Sequence, residues 1–99
     1  MKLRMFIAAL AALPLAAQAT QDTPQVRVLA GNCANCHGTS GRSSGVLPSL
    51  AGLSQAYFVE QMRQFRDGKR PATVMHQIVK GYSDEEIAQL AAFFARQPK

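Results

Sequence analysis

Tryptophan is absent from the 99 residues, phenylalanine and tyrosine together reach 7%, and there are only two cysteines. Two cysteines rule out a disulfide-dense scaffold, and so few aromatics leave a small core without its usual bulk. The apolar run near the start is about a dozen residues, short of the roughly 20 that cross a bilayer as a helix. Useful stretches of alternating apolar and polar residues are also missing, which argues against a sheet. Eleven basic residues against six acidic ones give a net charge of +5. No basic cluster is interleaved with aromatics, so nucleic-acid binding is not expected. Arg63, Arg66, Lys69 and Arg70 do gather within eight positions. Such a run is a solvated face, or it meets an acidic partner or a carboxylate ligand.

What is present begins with MKLRMFIAALAALPLAAQAT. Lys2 and Arg4 precede an apolar stretch, Met5 to Leu15, and Ala17-Gln18-Ala19 puts small residues where a signal peptidase reads. The segment 1–19 is therefore predicted to be a cleaved secretory signal. That places one mature domain, 20–99, in a bacterial periplasm with no stable membrane insertion. Loss of Lys2 and Arg4 lowers the charge to +3, nine basic residues against six acidic. A chain of 80 residues buries only about 60% of the surface it exposes when unfolded. Domains of this size are usually held by disulfides, a metal or a large cofactor.

The mature chain reads as helices. Thr23-Pro24 is a helix start, a cap followed by proline at the first position. It opens a first helix over 24–35. Residues 38–53, GTSGRSSGVLPSLAGL, form a long irregular loop, a length that in a small domain suggests a function. Ser54 caps a second helix over 55–67, with Phe58, Met62 and Phe65 on one face and Gly68 to end it. After the Pro71 connection a short helix covers TVMHQIVKG. Ser83 and Glu86 then form a capping box before a last helix, 84–96, striped with Ile87, Leu90, Ala91 and Phe94. The fold class is all-α, about four helices.

Both cysteines fall in CANCH, Cys33 to His37. A disulfide between them closes too small a loop to stabilise much and leaves His37 unused. A thioredoxin-like pair needs a preceding strand. A zinc centre needs four ligands, and the other obvious candidate is His76. Covalent haem attachment accounts for every residue. Cys33 and Cys36, one helical turn apart, each add to a haem vinyl group, and His37 is carried beneath the ring as an iron ligand. One haem c is the expected cofactor.

The opposite face of the iron decides the chemistry, since an open face binds small molecules and a closed one leaves electron transfer. Met62, Met75 and His76 are the candidates. Met62 lies on the Phe58/Phe65 stripe and reads as core. Met75 and His76 are neighbours and cannot both face the iron.

Residues 31–96 resemble a class I cytochrome c, most closely the single-haem cytochrome subunit of flavocytochrome c sulfide dehydrogenase. The resemblance rests on CANCHGTSG, LPSLAG, YFVEQMRQFRDGKR and TVMHQIVKGYSDEEIAQLAAFF. It implies helices wrapped around the haem, with His37 as proximal ligand and Met75 as distal ligand. Pro48 would hold the His37 ring through its carbonyl. It also implies one-electron transfer with no catalysis by the chain itself, and a flavoprotein (FAD) or another redox protein as partner. A free diffusible carrier and a peroxidase-like haem enzyme are the alternatives. Tyr57, Phe58, Phe65 and Leu50 are expected on the haem wall, with Tyr82 or Arg42 near a propionate.

Overall fold

The Thr23 hydroxyl accepts a hydrogen bond from the Val26 N–H at 3.3 Å, and from this cap helix α1 runs Pro24–His37. In this computed structural model residues 22–99 are described. The predicted signal, 1–19, and its cleavage point lie outside them. Helix α1 continues two residues past the expected end, so Cys36 and His37 are helical. Gly38 stops it with φ of 89° while its N–H still reaches the Ala34 carbonyl at 3.1 Å.

Helix α2 spans Gln55–Arg66, with the Ser54 hydroxyl accepting from the Tyr57 N–H at 3.2 Å. Gly68, at φ of 71°, lets the chain turn away, a conformation other residues resist. Helix α3 is one turn, Met75–Ile78, extended by a tighter turn, Val79–Gly81. Helix α4 spans Asp84–Ala95 and opens on the expected capping box. The Ser83 N–H donates to Glu86 at 2.9 Å, and the Glu86 N–H to the Ser83 hydroxyl at 3.1 Å. The described residues contain helices and turns but no strand, so the all-α class holds. None of their helices is long and apolar enough to cross a membrane.

Helix α4 is the centre of the core. Leu90, Ala91 and Phe94 are buried against Val26 and Ala30 of α1 and against Phe58 and Met62 of α2. The Phe94 ring stacks on Phe58 at 5.7 Å and meets Phe93 edge-on at 5.2 Å. Each such side chain contributes about 1.5–3 kcal/mol on leaving water. The apolar stripe of α4 is what meets α1. The α2–α4 contact through Phe58 is an addition, and it puts one face of α2 on the core and the adjoining face on the cavity.

The loop 38–53 is closed rather than loose. A short turn, Thr39–Gly41, leads to Gly41 at φ of 77°, whose carbonyl accepts from the Leu50 and Ala51 N–H groups at 2.7 and 3.2 Å. The Gly52 N–H then donates to the Phe94 carbonyl at 2.8 Å. A Cβ on Gly41 would lie 2.8 Å from the Phe94 ring, so only glycine fits this crossing. The intervening residues form a compact surface loop, and Pro48 lies on its return arm.

Candidate cofactor site

A cavity of about 690 Å³ opens between the C-terminal half of α1, the return arm of the loop, α2 and the segment from Arg70 to Ile78. That volume suits a cofactor or small ligand, for which pockets run about 300–1,000 Å³. Cys33, Cys36, His37, Pro48 and Met75 all line it. Residues spread over more than forty positions are brought to one space.

Cys33 and Cys36 are free thiols one helical turn apart on α1. Burial pushes the Cys33 thiol up from its ordinary value. His37 is buried, 8% exposed, and its Nδ1 lies 2.7 Å from the Pro48 carbonyl oxygen. A carbonyl only accepts, so Nδ1 must carry the proton and donate it. In the neutral ring the other nitrogen, Nε2, then carries the lone pair, the form that ligates a metal.

Elsewhere on the cavity wall, Met75 is half-buried and packs against the core. Its neighbour His76 does not line the cavity, and its Nδ1 is buried without a hydrogen-bond partner. Met62 also lines the cavity but is buried in the core, as its stripe implied. Tyr57, Phe58, Phe65 and Leu50 form apolar wall, as expected. Tyr82 reaches the cavity too, its hydroxyl accepting from Asn32 at 3.4 Å. Arg42 does not. It donates to the Pro98 carbonyl at 3.4 Å, tying the loop to the C-terminus.

Competing uses of the motif lose ground. Among the described residues no cluster of three or more His, Cys, Asp and Glu side chains converges on a metal position, which removes the zinc centre. Among the described residues no strand precedes Cys33, as a thioredoxin-like pair would need. A largely apolar cavity with two cysteines and an imidazole from one helix on its wall fits haem. Sequence reasoning missed Gln61 and Arg70 on the wall. The one signal for Arg70 was its place in the basic cluster.

A helical fold, CxxCH on a helix and a cofactor-sized apolar cavity define a c-type cytochrome. The chain belongs to the cytochrome c family, matching over residues 20–94 the family model described as cytochrome c oxidase, cbb3-type, subunit III. It is 40% identical over 88 residues to the cytochrome subunit of sulfide dehydrogenase from Chlorobaculum tepidum, covering 87% of this chain and 80% of that protein. It is 37% identical to cytochrome c4 of Pseudomonas aeruginosa, over 82% of this chain and 41% of the relative. A solved cytochrome c4 structure from Acidithiobacillus ferrooxidans superposes with a TM-score of 0.61 at 35% identity, over 64% of this chain and 37% of that one. The chain thus spans most of the first relative and less than half of either cytochrome c4. It carries covalent haem c, and its function is electron transfer to and from redox partners.

Proposed function

We propose that the chain is the periplasmic single-haem subunit that accepts electrons from a flavoprotein sulfide dehydrogenase. In this reading residues 1–19 are removed on export and 20–99 form the working domain. Cys33 and Cys36 hold the cofactor by thioethers, His37 is the proximal ligand and Met75 the distal one. The observation that carries the reading is a His37 ring hydrogen-bonded to Pro48 and sharing one cavity with Met75, while His76 does not line it.

The bound haem supplies a one-electron couple at its iron. The protein's part is to keep that couple reversible and to exclude other chemistry. The Pro48 carbonyl fixes the His37 ring and raises the basicity of Nε2. The Met75 thioether is soft and favours the reduced metal. Were His37 and Met75 both to hold the iron, no position would be left open to peroxide or oxygen, as the peroxidase-like alternative needs. Phe58, Phe65 and Leu50 keep water from the faces, and dry surroundings raise the potential further. A sulfide-dehydrogenase partner is supported by the 40% identity to the Chlorobaculum tepidum subunit over most of both chains.

The test is purification from the native periplasm under mild conditions, followed by absorption spectra before and after sulfide. Haem bands accompanied by flavin from a larger co-purifying chain, both reduced by sulfide, are expected. Haem that purifies alone and ignores sulfide would leave a free carrier and overturn the subunit reading.

A further inference from the structure

The His37 ring is held by the Pro48 carbonyl, 2.7 Å from Nδ1. That carbonyl belongs to the peptide group joining Pro48 to Ser49. The group is planar, so its direction follows from two soft dihedrals, ψ of Pro48 and φ of Ser49. Whatever holds those two angles decides where the carbonyl points.

Packing does not hold them from the tip of the loop. Residues 44–46 are exposed, and Val46 is fully so. Hydrogen bonds do it instead. On the far side of Ser49, the Leu50 N–H donates to the Gly41 carbonyl at 2.7 Å. On the tip side, the Ser43 N–H donates to the Ser49 hydroxyl oxygen at 2.9 Å. Among the described residues this is the one hydrogen bond joining the outward arm, 42–44, to the return arm, 47–49. Ser43 is itself steadied, its own hydroxyl accepting from the Gly45 N–H at 3.2 Å.

Ser49 is thus gripped at its side chain and through the N–H of the next residue, directly beside the carbonyl that His37 uses. Its hydroxyl sits one carbon from the backbone, so the grip leaves little slack. We propose that Ser49 is a positioning residue for His37: its hydroxyl, taken by the Ser43 N–H, aims the Pro48 carbonyl at Nδ1 and so sets the ring's orientation and basicity. The inference deepens the function proposed above and rests on His37 as the proximal ligand. A firmer hydrogen bond at Nδ1 makes Nε2 the stronger electron donor, which favours the oxidised iron. Loosening that bond therefore raises the potential.

The experiment uses the haem-loaded protein, with NMR and potentiometry on wild type, Ser49→Ala, Ser49→Thr and Ser44→Ala. In Ser49→Ala the His37 Nδ1 proton is expected to exchange with solvent about 2- to 10-fold faster, the effect of one such hydrogen bond. The potential rises with it. Ser49→Thr keeps a hydroxyl and returns both values towards the wild type. Ser44→Ala, the same change on the exposed tip, moves neither. Wild-type values in Ser49→Ala, no recovery in Ser49→Thr, or equal shifts in Ser44→Ala would overturn the assignment. If the Ser49 variants fail to take up haem, the wild type decides. Its Ser43 amide is expected to exchange more slowly than that of Val46, and equal rates overturn the proposal. The ligand reading is tested apart from this, in the oxidised wild type. His37 ring signals without large shifts from the unpaired spin of the iron would sink that reading, whatever the variants do.

Discussion

Cys33, Cys36 and His37 reach the cavity from a 14-residue helix with a side-chain cap at its start, whereas Met75 reaches it from a four-residue helix whose N-cap, Val74, makes no side-chain bond. Isolated helices shorter than about 12–15 residues are marginal in water even with good sequences. The Met75 wall therefore depends on what it leans against, chiefly Val79, which is fully buried, and the core beneath it. The His37 wall adds a hydrogen bond from a closed loop and the two cysteines proposed as covalent anchors. One side of the cofactor is built to stay, and the other is placed by packing. If Met75 is the distal ligand, as proposed, the second wall is where variation in the potential would be felt.

The largest effect should come from removing the anchors. Cys33→Ser with Cys36→Ser is expected to abolish covalent haem completely, read as loss of the cofactor's added mass under denaturing conditions. The apolar cavity of about 690 Å³ would then have no bound filler, and the thermal transition should broaden or vanish.

Gly41→Ala attacks the same wall through its loop. The backbone sits at φ of 77°, and a Cβ would meet the Phe94 ring at 2.8 Å. Strain and overpacking together should cost about 1–3 kcal/mol, seen in denaturant midpoints. Because Pro48 lies on the return arm, the haem spectrum should change as well. An unaltered spectrum would separate the loop from the ligand.

Ser83→Ala strikes the junction that follows the Met75 wall. It removes one half of the capping box and should cost about 1 kcal/mol. A loss of distal ligation on heating, earlier than in the wild type, would sharpen the contrast between the walls.

The smallest effect lies outside both. Hydrogen bonds from Arg63, then Gln64, hold the Glu60 carboxyl down at about 2. A depressed folded value stabilises above the ordinary carboxylate range and loses that contribution as pH falls through about 2. Glu60 is exposed, so solvent screening keeps the effect small. Glu60→Gln should leave stability at neutral pH nearly unchanged while slightly flattening its fall in acid.

How much of this was legible depended on range along the chain. The starts at Thr23, Ser54 and Ser83 and the stop at Gly68 were readable because cap and helix are neighbours in sequence. CANCH was readable because five consecutive residues hold the whole attachment logic. Met75 and His76 are adjacent, and which of them faces inward depends on how α3 sits on the core, a matter local sequence leaves open. The Phe58–Phe94 stack, the close crossing of Gly41 over Phe94 and the turn of Arg70 into the cavity all depend on distant partners. Arg42 illustrates the same limit: a loop arginine offered a propionate was drawn instead to Pro98, 56 positions away.

The most direct measurement is the visible spectrum of the oxidised holoprotein, recorded for wild type, Met75→Leu and His76→Leu. Ligation by His37 and Met75 gives a methionine-sulfur charge-transfer band that Met75→Leu abolishes and His76→Leu keeps. A band that survives in Met75→Leu, or disappears in His76→Leu alone, would contradict it.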